Sequence, residues 1–207
     1  MKKSLAFIAA GIIAISFGFA RHEKFEDPKK IQIVIDAGHG GNDAGAQFEG
    51  YSEKEIVAQI TKKIKDMNRS ENVNITLTRP ADIPVTLQQR TDIINTTKPD
   101  IVISLHVGSS LNPEKSGVTL YVAKENTSKE RASLLARKLG DRIRKNHDFK
   151  VDEIQEAPFF VLSKSEAPGI VLQLGYLSND FDRHYLTDDK QQSRIARTIL
   201  ECVNDLK

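Results

Sequence analysis

Three short segments carry side chains of the kind zinc takes. IVIDAGHGGNDAGA (Ile33–Ala46) brings His39, YSEKEIV (Tyr51–Val57) brings Glu53, and DIVISLHVGSS (Asp100–Ser110) brings His106. Two imidazoles and one carboxylate leave a fourth tetrahedral position open for water, which is the arrangement of a catalytic rather than a structural zinc. The chemistry these residue types point to is metal-assisted hydrolysis. Asp36 and Asp43 flank His39, and each is placed either to accept the second ring proton of a ligating imidazole or to serve a turn.

For the three donors to meet, the chain must bring a loop, a helix start and a strand end to one place. Ile31–Asp36 reads as a first strand with His39 just past its end, and Asp100–His106 as a near-continuous apolar strand covered on both faces. Glu53–Met67 reads as a helix, because Ile56, Ile60, Ile64 and Met67 recur at helical spacing and Ser52 with Glu55 forms a capping box. In open α/β sheets ligands gather beyond the carboxyl ends of strands. A carboxylate in the first turn of a helix also sits well in the helix dipole.

The rest of the chain alternates in the same way. Val73–Thr78 is an expected strand. Thr86 with Gln89 caps an expected helix to about Thr96, with Leu87, Ile93 and Ile94 inward. Gly117–Ala123 is an expected strand near an edge, and Thr127–Asn146 a helix with Leu134, Leu135, Leu139 and Ile143 inward. Phe159–Leu162 and Ile170–Leu174 read as the last two strands, and Asp188–Leu206 as a closing helix. The expected fold class is α/β, one domain over residues 31–207 with a mainly parallel sheet covered by helices.

Composition narrows the function. At 207 residues, 39% apolar and 28% charged, the chain has material for one core. Lys2 and Lys3 precede an apolar run from Leu5 to Ala20, so residues 1–20 read as a signal peptide and 21–30 as a linker. Export to the periplasm or cell envelope follows, with membrane contact only through an uncleaved leader. Without residues 1–20 the chain carries 28 basic and 28 acidic residues, a balance that argues against nucleic acid as a partner. Cys202 is unpaired and reads as a small buried hydrophobe. Gly38, Gly40 and Gly41 permit a tight turn, but no Gly-Lys-Ser/Thr follows, so the loop is not a phosphate loop. Arg79 and Arg90 read as surface or interstrand ion-pair partners, and His22, His147 and His184 as incidental.

Taken together, IDAGHGGNDAGA, SEKE, LTRPAD (Leu77–Asp82), the Leu87–Arg90 region followed by Asn95, ISLHVGSS (Ile103–Ser110), SGVTLYV (Ser116–Val122) and GYLSND (Gly175–Asp180) give the chain a resemblance. In order and spacing it resembles the zinc-dependent N-acetylmuramoyl-L-alanine amidases that cleave bacterial peptidoglycan. The resemblance covers nearly all of Ile31–Leu206. It implies zinc held by His39, Glu53 and His106 at one end of a mixed six-stranded sheet. It implies hydrolysis of the amide joining N-acetylmuramic acid to L-alanine, with peptidoglycan or its fragments as partner; no activating protein is identified. Some relatives insert a blocking helix after the strand matching Gly117–Ala123, and no such insertion is visible here.

The chain departs from the family at one position. Typical members end the strand before GYLSN in a glutamate that activates the water, and here that position is Gln173. A carboxylate can take a proton from water and pass it on, whereas an amide only hydrogen-bonds. Three readings stay open: a weak amidase, an amidase using another carboxylate such as Glu55, and a catalytically inactive zinc-bearing protein that binds peptidoglycan.

Overall fold

A computed structural model describes residues 30–205, so the expected leader and nearly all of the expected linker lie outside the described residues. In chain order the elements are β1 (Ile31–Ala37), β2 (Gln47–Phe48), β3 (Tyr51–Ser52), α1 (Glu53–Met67), β4 (Val73–Leu77), α2 (Leu87–Thr97) and β5 (Ile101–Gly108). They continue with β6 (Thr119–Ala123), α3 (Lys129–Asn146), β7 (Gln155–Ala157), α4 (Phe160–Ser163), β8 (Gly169–Tyr176), α5 (Asp180–Thr187) and α6 (Asp189–Asn204). Six strands form one sheet in the order β4-β1-β5-β8-β6-β7, parallel except where β6 meets β8, and β2 with β3 makes a separate hairpin. The α/β class with a six-stranded, mostly parallel sheet is therefore as expected.

Strand parity decides what reaches each face. Ile33, Ile35, Ile103, Leu105, Leu120 and Leu172 enter one core, which α1, α3 and α6 cover with residues such as Ile60, Leu139 and Ile199. Burying a side chain of this size stabilises by about 1.5–3 kcal/mol, and this face anchors the fold. Residues of the other parity, Val34, Val102 and Val171, pack beneath Ile94 of α2 and Val161 and Leu162 of α4. Further along the same face come Asp36 beside Ser104, His106 beside Gln173, and Thr119 beside Gln173. Since α2 has 11 residues and α4 only four, the carboxyl ends of the strands stay open on this side.

Several expectations need correction. Phe159–Leu162 was expected as a strand, but Phe160–Ser163 is a helical turn, and the edge strand is the polar Gln155–Ala157. A run of four apolar residues has no period that separates strand from helix, and an exposed edge strand lacks the apolar signal that would reveal it. The strand expected from Gly117 begins at Thr119 and stands one place in from the edge. Helix α5, capped by Asn179, had not been expected at all. Leu87 and Leu134, expected inward, are 54% and 48% exposed; Leu135, Leu139 and Ile143 set the buried face of α3, and Leu134 lies off it. The Thr86–Gln89 capping box is present with both bonds. Ser52 makes no cap bond, because the amides of Glu53 and Lys54 donate instead to the Ala46 and Ala44 carbonyls.

Candidate metal centre and active site

Glu53 opens α1 from the end of the β2–β3 hairpin and is 4% exposed. Its carboxylate receives four contacts. Oε1 accepts from the Val107 amide at 2.9 Å and faces His106 Nδ1 at 2.8 Å; Oε2 accepts from the Ala46 amide at 2.9 Å and faces His39 Nε2 at 3.0 Å. Burial alone would raise this carboxyl, but hydrogen bonds from the two imidazoles outweigh it and hold the group well below the usual carboxylate range. One ligand atom from each of His39, Glu53 and His106 lies within 4.8 Å of the others. Donors around a tetrahedral zinc stand about 2.0–2.2 Å from it, so side chains already this close suit an ion between them. The donor set fits a metal.

His39 adopts the left-handed backbone region at φ 59°, a conformation that must be held from outside. Two buried arginines hold it. Arg90 donates to the Ala37 and His39 carbonyls at 2.6 and 2.5 Å and pairs with Asp36 at 2.6 Å; Arg79 donates to the Ala37 and Gly38 carbonyls at 3.0 and 2.9 Å. Asp36 is balanced in turn: burial pushes its carboxyl up, while the Arg90 charge and hydrogen bonds from Ser104 and Thr78 bring it below the ordinary value. Neither arginine is a surface residue, each being 3% exposed, and this corrects the surface ion-pair reading. Little in the sequence signalled this, since Asp82 and Asp92 follow the two arginines closely in the chain and suit an exposed pairing.

Of the two aspartates flanking His39, it is Asp43 whose Oδ2 lies 2.8 Å from His39 Nδ1, while Asp36 touches no imidazole. The hydrogen bond to Glu53, with a further one to Asp43, raises the His39 pKa above its usual value, burial opposing in part. Gly45 lets the loop close here, since at φ 65° a Cβ would come within 2.6 Å of the His39 ring and 2.5 Å of Glu53 Oε2. His106 and Gln173 are register partners on β5 and β8, and the Gln173 Nε2 is buried without a hydrogen-bond partner. Glu55 is exposed. His147, read as incidental, is buried between the Tyr185 and Thr198 hydroxyls, and His184 is exposed; His22 lies outside the described residues. The imidazoles open into a cavity of about 540 Å³ walled by Pro84, Val85, Leu87 and Val161.

Sheet order and site together define a class: a single α/β domain that gathers a His, Glu, His donor set at the carboxyl ends of its strands. A family model described as N-acetylmuramoyl-L-alanine amidase matches residues 33–205. The chain belongs to that family of hydrolytic enzymes. It is 30% identical over 176 residues to the probable cell wall amidase LytH of Staphylococcus saprophyticus, a match covering 84% of this chain and 57% of that protein. It thus spans little more than half the length of this relative. A solved N-acetylmuramoyl-L-alanine amidase of Nostoc punctiforme superposes with a TM-score of 0.79 at 30% identity, covering 86% of this chain and 98% of that one. One from Clostridium difficile has a TM-score of 0.81 at 24% identity, covering 86% and 97%, and speaks for the fold alone.

Proposed function

We propose that the chain is a zinc-dependent peptidoglycan amidase that hydrolyses the amide between N-acetylmuramic acid and L-alanine, slowed by the presence of Gln173 where a carboxylate base belongs. The convergence of His39, Glu53 and His106 at the open ends of β1 and β5 carries this reading. Zinc, when bound, supplies polarisation of the amide carbonyl and a water whose pKa falls to about 7. The chain supplies the rest. His39, Glu53 and His106 hold the ion, and Asp43 keeps the His39 proton on Nδ1 so that Nε2 faces the centre. Amides of Val107 and Ala46 orient the Glu53 carboxylate, and Arg79 and Arg90 hold the His39 loop.

Gln173 takes a different part. Its free amide can orient a water or a substrate carbonyl but takes no proton. Loss of a positioned base costs on the order of a hundred- to ten-thousand-fold in rate, hence slow turnover. Glu55 does not substitute, since it points to solvent from the first turn of α1. The protein is taken to be exported and to work in the periplasm or cell envelope on intact wall or its fragments. Leader-like residues 1–20 and the cell wall amidase relative support that location.

Gln173 also favours a second reading, a zinc-bearing protein that binds wall fragments without cutting them. Zinc content and release of stem peptide from peptidoglycan, measured on the full chain and on Gln173→Glu, separate the two. The amidase reading expects about one zinc per chain, slow but metal-dependent release, and a gain of at least a hundredfold in the variant. Zinc without release from either protein sinks it and leaves the binder.

A further inference from the structure

The two sides of the metal centre are unlike. Toward β1 and α2 the wall is apolar, with Pro84, Val85, Leu87 and Val161. Toward β8 stand Gln173, the register partner of His106, and the largely buried Tyr176, the partner of Gly108. A Cβ added at Gly108 would stand 3.0 Å from Gln173 Nε2 and 3.0 Å from the Tyr176 ring, so the free amide and the ring pack side by side against the backbone of β5. Beyond the ring, the Lys115 ammonium lies 4.9 Å from its centroid.

This ammonium is held in place by its loop. Gly108 accepts from the Leu177 amide at 2.8 Å, the Ser110 amide donates to Ser178 Oγ at 2.9 Å, and the Lys115 amide donates to the Asn112 carbonyl at 3.1 Å. Asn179 donates from its side chain to the Pro113 carbonyl at 2.8 Å. Three ties to the turn after β8 and one within the loop fix a segment whose tip, Leu111, is fully exposed. Neighbouring acids are engaged elsewhere: Asp152 accepts from Thr119 at 3.1 Å and faces Lys150 at 3.5 Å, and Glu114 lines a separate groove with Asp180 and Asp188. Lys115 makes no ion pair with a described carboxylate. A cation stacked over an aromatic ring and carried by a fixed loop has given up freedom in advance, which favours capture of an anion.

We propose that Lys115 is a specificity-determining residue that receives a free carboxylate of the stem peptide, carried two or three residues beyond the scissile amide past Gln173 and Tyr176. An extended peptide advances about 3.3 Å per residue, so that many residues cross one ring from the Gln173 amide. The assignment rests on the amidase reading for the identity of the peptide. It orients the substrate, with the peptide arm along β8 and the apolar cavity left to the other arm.

The test uses the zinc-loaded full chain and two soluble muramoyl peptides, alike except that the stem carboxylates are free in one and amidated in the other. Calorimetric titration is expected to show a preference of about three- to tenfold for the free form. Lys115→Gln should remove that preference by weakening only the free form, and Lys115→Arg should restore it, with zinc content unchanged in both. Equal affinity of the unaltered chain for the two peptides, or an equal loss for both in Lys115→Gln, overturns the clamp while leaving the amidase reading in place. Binding of neither peptide overturns both.

Discussion

Glu53 and Gln173 are side chains of nearly equal size that both adjoin His106, yet their surroundings are opposite. Every carboxylate oxygen of Glu53 is engaged twice, by a backbone amide and by an imidazole. The Gln173 amide nitrogen is buried with no partner. A position that holds is over-determined, because a donor atom misplaced by small rotations loses its ion; a position that faces substrate keeps a group in reserve. The half of the site that holds is complete. The half that should move a proton has a group that can bind and cannot accept one.

The comparison breaks most visibly at the metal. His39→Ala combined with His106→Ala is expected to take metal content from about one per chain to none by elemental analysis, with helix content by circular dichroism nearly unchanged; retained metal would mean the donors lie elsewhere. Asp36→Asn comes next. It leaves the Arg90 guanidinium buried without its partner, so denaturant unfolding should show a loss of about 3–5 kcal/mol. A change under about 1 kcal/mol would show that the loop is held without this pair.

Smaller effects sharpen the contrast. Asp43→Asn should weaken metal binding about 10- to 100-fold through the His39 tautomer, whereas Gln173→Glu should leave metal content as it is. His147 offers a histidine with hydroxyl rather than carboxylate neighbours. Burial first, and the Arg194 charge second, push it down to about 4. The unfolded chain takes up this proton near pH 6.5 and the folded one only near 4, so stability is full above 6.5 and declines as pH falls toward 4. About 1 kcal/mol should be lost between pH 6.5 and 5.5, and His147→Gln should flatten that slope.

Much of the site was legible because its parts are locally encoded. His39 and His106 fall at strand ends marked by Ile33–Ile35 and Ile101–Leu105, and Glu53 heads a helix marked by Ile56, Ile60 and Ile64. Elements without a local period were not legible: Phe160–Ser163 is too short, Gln155–Ala157 too polar, and α5 has no long apolar stripe. Arg90 does form an ion pair, with Asp36, but the burial of Arg79 and Arg90 was not legible for a related reason, since burial of a charge depends on carbonyls brought in from residues distant in the chain.

By itself, then, the sequence determined the residue types, the alternation of strand and helix, and the amide at position 173, since these follow from side-chain chemistry and short-range period. Tertiary structure alone decided that Asp43 rather than Asp36 meets His39, that two arginines brace the loop, and that Lys115 lies across the Tyr176 ring. Those outcomes depend on which strands become neighbours and on register, and both are set by burial summed over the whole core rather than by any one segment.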